Sequence, residues 1–165
     1  MFGLSKTKIS TEEATAIYLA LLGKSIKEEW IDDISNVNCL YANRVLGDDQ
    51  YEAQLEFCLA IVALELNVVM NLMPKKYDLI LEALFKHLSD IEDIGEYAIE
   101  TIMEEYIPAI KKSEEVGLPP FDEMLYILAD KLELEHDPLI GVVMIGILVN
   151  KLGNWKLIIN KYKII

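Results

Sequence analysis

The sequence predicts an all-α fold, a compact single-domain bundle of about seven to eight helices around a buried apolar helix at residues 138–152. Three observations carry this expectation. Apolar residues recur every three or four positions through most of the 165-residue chain, which is the period of one helix face. No run alternates with period two, so no strand is expected. The 8 glycines and 5 prolines collect mainly between the periodic segments, where they punctuate helices.

The first helix is expected to open at Ser10, because Ser10-Thr11-Glu12-Glu13 has the form of a capping box in which the Ser and Glu side chains satisfy exposed backbone donors. Gly23 is its expected stop, and residues 1–9 read as a flexible N-terminal segment. Ile26, Trp30, Ile34, Val37, Tyr41 and Val45 then form one face of a second helix, with Asn36 and Asn38 as points where it could break. Gly47-Asp48-Asp49 ends that segment and caps a third helix reaching Met73.

Pro74 suits the first turn of a fourth helix, whose stripe is Tyr77, Ile80, Leu81, Leu84 and Leu88. A fifth opens near Ser89-Asp90, and Pro108 is expected to kink or break it by removing a backbone donor. Gly117-Leu118-Pro119-Pro120 is a loop, and Phe121, Met124, Leu125, Leu128 and Leu132 mark the sixth helix. Asp137-Pro138 starts the seventh, which has no polar residue before Asn150 and is therefore expected at the centre of the fold. Gly153-Asn154 caps a short last helix bearing Trp155, Ile158, Ile159 and Tyr162.

Composition excludes several classes. Hydrophobic residues make up 53% of the chain, which rules out an intrinsically disordered segment. Cys39 and Cys58 have no metal-type spacing and read as small buried thiols. Met1 to Ser10 lacks the apolar run of a secretory leader. The apolar stretch Leu139 to Val149 would span only about 16 Å of a roughly 30 Å hydrocarbon core. The expectation is a cytoplasmic protein with no membrane span. Arg44 is the only arginine in a chain of net charge −13, so binding to nucleic acid is not expected either.

The charge is concentrated. Residues 1–89 carry −5, residues 90–137 carry −12, and residues 138–165 carry +4 from Lys151, Lys156, Lys161 and Lys163. Within the acidic segment Glu92, Glu96, Glu100 and Glu104 repeat every four residues as one ridge without lysine. Like charges at this spacing cost roughly 0.2 to 0.5 kcal/mol per pair. The ridge reads either as a solvated face or as a docking surface for a basic protein. The tail lysines read as a soluble helix face or as a surface that pairs with the acidic one.

Glu65 falls on the apolar side of its helix with Ile61, Val68, Val69 and Leu72, away from Glu52, Glu56, Asn67 and Asn71. A buried carboxylate needs a partner, and Arg44 on the preceding helix is the expected one. Glu133 and His136 share the Glu-x-x-His spacing of carboxylate-bridged metal bundles. The second copy of that motif is missing, because Leu84 stands three residues before His87. No metal and no cofactor is therefore expected. No triad, nucleophile elbow or phosphate-cradling loop is present, and no catalytic residue is expected.

The leading expectation is thus a non-catalytic adaptor or inhibitor that uses the acidic surface of residues 90–137 against a basic partner. An immunity-type neutraliser of a cationic nuclease is one instance. Two other readings compete with it. One is a helical bundle holding a small molecule or metal near Glu65. The other is a structural subunit whose Ile164-Ile165 end is buried in a homo-oligomer.

Overall fold

The computed structural model describes residues 6–40, 50–134 and 136–165, the side chains at 31, 34, 36–40 and 50 excepted. The described chain is all-α apart from two three-residue strands. Its elements are β1 (Thr7–Ile9), α1 (Thr11–Leu40), α2 (Gln50–Leu72), α3 (Tyr77–Ser89), α4 (Gly95–Glu100), a π-helical segment (Thr101–Tyr106), α5 (Ile107–Glu115), α6 (Asp122–Lys131), α7 (Pro138–Lys151), α8 (Asn154–Lys161) and β2 (Tyr162–Ile164).

The capping box forms as expected. Ser10 N–H donates to the Glu13 carboxylate at 2.8 Å, and Glu13 N–H donates to the Ser10 hydroxyl at 3.1 Å. Gly23 does not stop the helix, however, so the expected first and second helices are one rod. The reason is phase: Ala14, Tyr18, Leu22, Ile26 and Trp30 are buried at every fourth position, an unbroken stripe on either side of the glycine. Burial along that stripe outweighs the roughly 1 kcal/mol that a glycine costs in a helix interior. Asn36 and Asn38 do not interrupt the backbone helix either. The expected stop at Gly47-Asp48-Asp49 lies outside the described residues.

The centre of the fold is α2, not the helix at 138–152. Every residue from Leu59 to Asn67 is buried, and α2 packs against α1, α3, the π segment, α5, α6, α7 and α8. In α7 the inner face of Ile140, Met144, Ile147 and Leu148 is buried, while Leu139 and Val142 are each 66% exposed and Val149 is 49% exposed. Apolarity alone misplaced the two helices. A buried position tolerates a polar side chain when partners meet it, as they do along α2, and apolar side chains also cover much of any protein surface.

Pro74 sits in a turn before α3 rather than in its first turn, with Lys76 N–H bonded to Met73 O at 2.9 Å. Pro108 does not break the helix. The chain runs on from α4 into α5, and the turn before the proline widens into the π segment. Pro108 then follows the π segment directly, as the second residue of α5, where the locally altered hydrogen-bond pattern accommodates a residue that cannot donate. Asp137 starts α7 as expected, its carboxylate accepting Leu139 N–H at 2.7 Å.

No strand was expected, yet β1 and β2 pair in parallel, Ile9 opposite Ile164. Three-residue strands are too short for a period-two signal. Residues 7–9, expected within a flexible segment, are held by this pairing. Tyr51–Leu72 and Pro138–Lys161 are both long and apolar enough to cross a membrane. The first is the core helix, 67% buried in the fold, whereas the second is 33% buried and is divided into α7 and α8 at Gly153.

Candidate functional site

The acidic ridge begins where the chain turns from α3 into α4. Gly95 opens α4 under tight constraint, because a Cβ there would lie 2.5 Å from Leu88 O. The close backbone approach therefore needs a glycine, and Asp90–Ile94 form a turn before it, so Glu92 precedes the helix instead of riding on it as expected. Glu96 and Glu100 project from α4 and Glu104 from the π segment, all of them exposed. On an α-helix a four-residue step drifts about 40° around the axis. The wider π turn opposes this drift and keeps the last three glutamates near one line.

The four carboxylates line a groove of about 830 Å³ whose apolar part is Ile91, Ile99 and Met103. Ile91 is 47% exposed and Met103 36% exposed. No cation among the described residues lies within ion-pair distance of any of the four glutamates. The groove therefore offers unneutralised negative charge beside accessible apolar surface.

Glu65 is fully buried, as its place on the wheel predicted. The expected partner, Arg44, lies outside the described residues. Among those residues Glu65 caps α8: one carboxylate oxygen accepts the N–H groups of Gly153 and of Asn154, the latter at 3.0 Å, and the other accepts Trp155 N–H at 3.4 Å. The positive end of the helix dipole meets the negative charge. Gly153 makes this approach with φ at +110°, a conformation that favours glycine. Burial pushes the Glu65 carboxyl above the ordinary glutamate range, although the three backbone donors and Lys156 pull it back. Both oxygens are occupied by α8, which makes Glu65 a structural clamp. Beside it, the Tyr18 and Trp155 rings stack with centroids 5.1 Å apart.

A second buried polar cluster was not anticipated. Glu56, assigned by the wheel to the polar side, is buried and accepts hydroxyl protons from Tyr97 and, at 2.6 Å, from Tyr106. The Lys131 ammonium lies 3.1 Å from the Tyr97 hydroxyl and 3.1 Å from the Glu105 carboxylate. Burial raises the Tyr106 hydroxyl strongly, and the Glu56 charge adds to the effect. Burial lowers Lys131, but its bonds to Tyr97 and Glu105 and the Glu56 charge win, and its ammonium is stabilised overall. On an ideal α-helix Tyr97 and Tyr106 stand about 180° apart. The intervening π segment reduces that separation, and a π turn is invisible to a wheel drawn at 3.6 residues per turn. Asn67, also placed on the polar side, is likewise buried and donates to Glu114 at 2.7 Å.

Lys151 corrects the reading of the basic tail as solvated. Its side chain is 1% exposed and forms ion pairs of 2.7 Å with both Glu29 and Asp33 of α1. Lys156, Lys161 and Lys163 remain exposed. Glu133 and His136 do not share a helical face, because α6 ends at Lys131 and Glu133 takes a left-handed turn conformation with φ at +51°. His136 pairs with Asp130 at 2.8 Å. Among the described residues no three His, Cys, Asp or Glu side chains converge as a metal site. Cys58 is half-buried, and burial pushes its thiol up to about 12. The Ile164-Ile165 end is divided, Ile164 half-buried in β2 and Ile165 57% exposed.

No protein-family model, curated protein or solved structure matches the chain.

Proposed function

We propose that this chain is a non-catalytic interaction protein, an adaptor or an inhibitor, working in the cytoplasm and receiving a basic segment of a partner protein in the groove of residues 89–104. The observation that carries this reading is the convergence of Glu92, Glu96, Glu100 and Glu104 on one groove with exposed Ile91 and Met103 among them. Several like charges on one surface accelerate the encounter with a cationic partner and disfavour anionic ones. The apolar side chains add contact area that survives screening by salt, whose Debye length is about 8 Å under physiological conditions. A neutraliser of a cationic nuclease is one arrangement of this kind.

The test is charge reversal. Glu96→Lys, Glu100→Lys and Glu104→Lys together alter only exposed side chains, so the fold should persist by circular dichroism. The triple variant is expected to lose the basic partners that the native chain captures from its source cells. Capture of the same partners by the variant would refute the proposal.

A second reading rests on α7, where Leu139, Val142 and Val149 stand exposed on an otherwise core-like helix. Self-association through that face would bury them. Light scattering should then show a concentration-dependent oligomer that Val142→Glu dissociates. A monomer at all concentrations decides against it.

A further inference from the structure

A second groove lies next to the acidic one, with Ile91 common to both. Its walls are Leu22, Ile26 and Trp30 of α1, Leu59 and Val62 of α2, and Ile94 of the turn before α4. Its volume is about 550 Å³, within the usual range for small-molecule sites. At roughly 30 Å³ per heavy atom, the share of a water molecule in the liquid, that space holds about 18 atoms.

Two features say what kind of molecule fits. The first is charge: in a chain of net charge −13, no Asp or Glu among the described residues lines this groove, and Lys27 stands on its rim. The second is Gly23, which also lines it. This glycine sits exposed in the interior of a continuous helix, at a cost in helix propensity. Apart from the adjoining residues and backbone of its own helix, nothing lies within 4 Å of where its Cβ would be. Close packing against another helix therefore does not require the glycine, whereas a side chain at this position would grow into the groove.

We propose that this groove binds a single-chain amphiphile with an anionic head, a free medium-chain fatty carboxylate, its alkyl chain passing over Gly23 between α1 and α2 and its head beside Lys27. A twelve-carbon acid has about 14 heavy atoms and fits the volume. The site is separate from Glu65, whose oxygens are committed to α8, and it does not depend on the acidic groove receiving a partner.

Trp30 in the wall supplies an optical reporter for the test. Dodecanoate is titrated into the full-length protein while tryptophan emission and calorimetric heat are recorded. Saturable binding seen by both methods is expected. Trp30→Phe should abolish most of the emission change and keep the heat. Gly23→Phe starts its side chain from a Cβ that meets no neighbouring element and directs it at the groove, so it should melt cooperatively at no lower temperature than the native chain and weaken binding at least about tenfold. Lys27→Ala should weaken dodecanoate about threefold to fivefold, the scale of an exposed ion pair, and leave dodecanol unchanged. The proposal is overturned by the absence of saturable heat, by undiminished binding in folded Gly23→Phe, or by a dodecyl ammonium that binds as tightly as the carboxylate.

Discussion

Glu65→Ala is expected to lower the unfolding free energy by about 3 kcal/mol or more. Three backbone N–H groups of Gly153, Asn154 and Trp155 would lose their acceptor inside the protein. Each buried unsatisfied donor costs about 1 to 3 kcal/mol, with partial relief as α8 frays. Urea unfolding followed by the emission of Trp155, stacked on Tyr18, measures the loss directly. Glu65→Gln keeps the shape and one acceptor and should lose about half as much.

The pH dependence of the native chain has a definite sign. Burial raises the folded-state carboxyl above its ordinary value, so between the unfolded and folded values the folded protein holds the proton more tightly. Stability from this group is then greatest below that window and falls as pH rises through it. Glu65→Gln has no proton to lose, and its stability should lack this component. A native stability that rises through the same window in a manner removed by Glu65→Gln would contradict the assignment.

Lys151→Met is the second large effect, about 3 kcal/mol. Asp33 is held in a half-closed environment, with its side chain 13% exposed, and would be left without its cation, whereas Glu29 at 55% exposure can turn to water. Adding Asp33→Leu to Lys151→Met should restore most of the loss, because removing a whole buried pair costs far less than removing one half of it. Burial alone would lower the lysine, but the bonds and charges of Asp33 and Glu29 raise it overall. Its contribution is therefore fully present below the ordinary lysine value and disappears as pH rises through the folded one. Stability measured from pH 9 upward should fall more steeply in the native chain than in Lys151→Met.

These two residues also show what a sequence can disclose. Glu65 was legible as buried because neighbours three and four positions away are apolar, which is local information. Its partner lies 88 to 90 residues further on and is backbone, so no side-chain pattern marks it. Lys151 looked like a tail lysine because its acids are on α1, more than a hundred residues away. The Ser10 capping box, the α3 stripe and the Asp137 cap were readable for the same reason that Glu65 was, since each is complete within one or two turns. The continuity of α1 through Gly23, the surface position of α7 and the Glu56 cluster each depend on packing between distant elements. The acidic ridge was read as a helical row, but the turn before Gly95 and the widened segment before Pro108 make it the wall of a groove.

The most direct test of that groove is amide hydrogen exchange with and without a basic amphipathic helical peptide of lysine and leucine. Slowed exchange centred on residues 89–104, weakened by salt and absent in the Glu96→Lys, Glu100→Lys, Glu104→Lys variant, is expected. Protection that appears elsewhere while residues 89–104 exchange unchanged would contradict it.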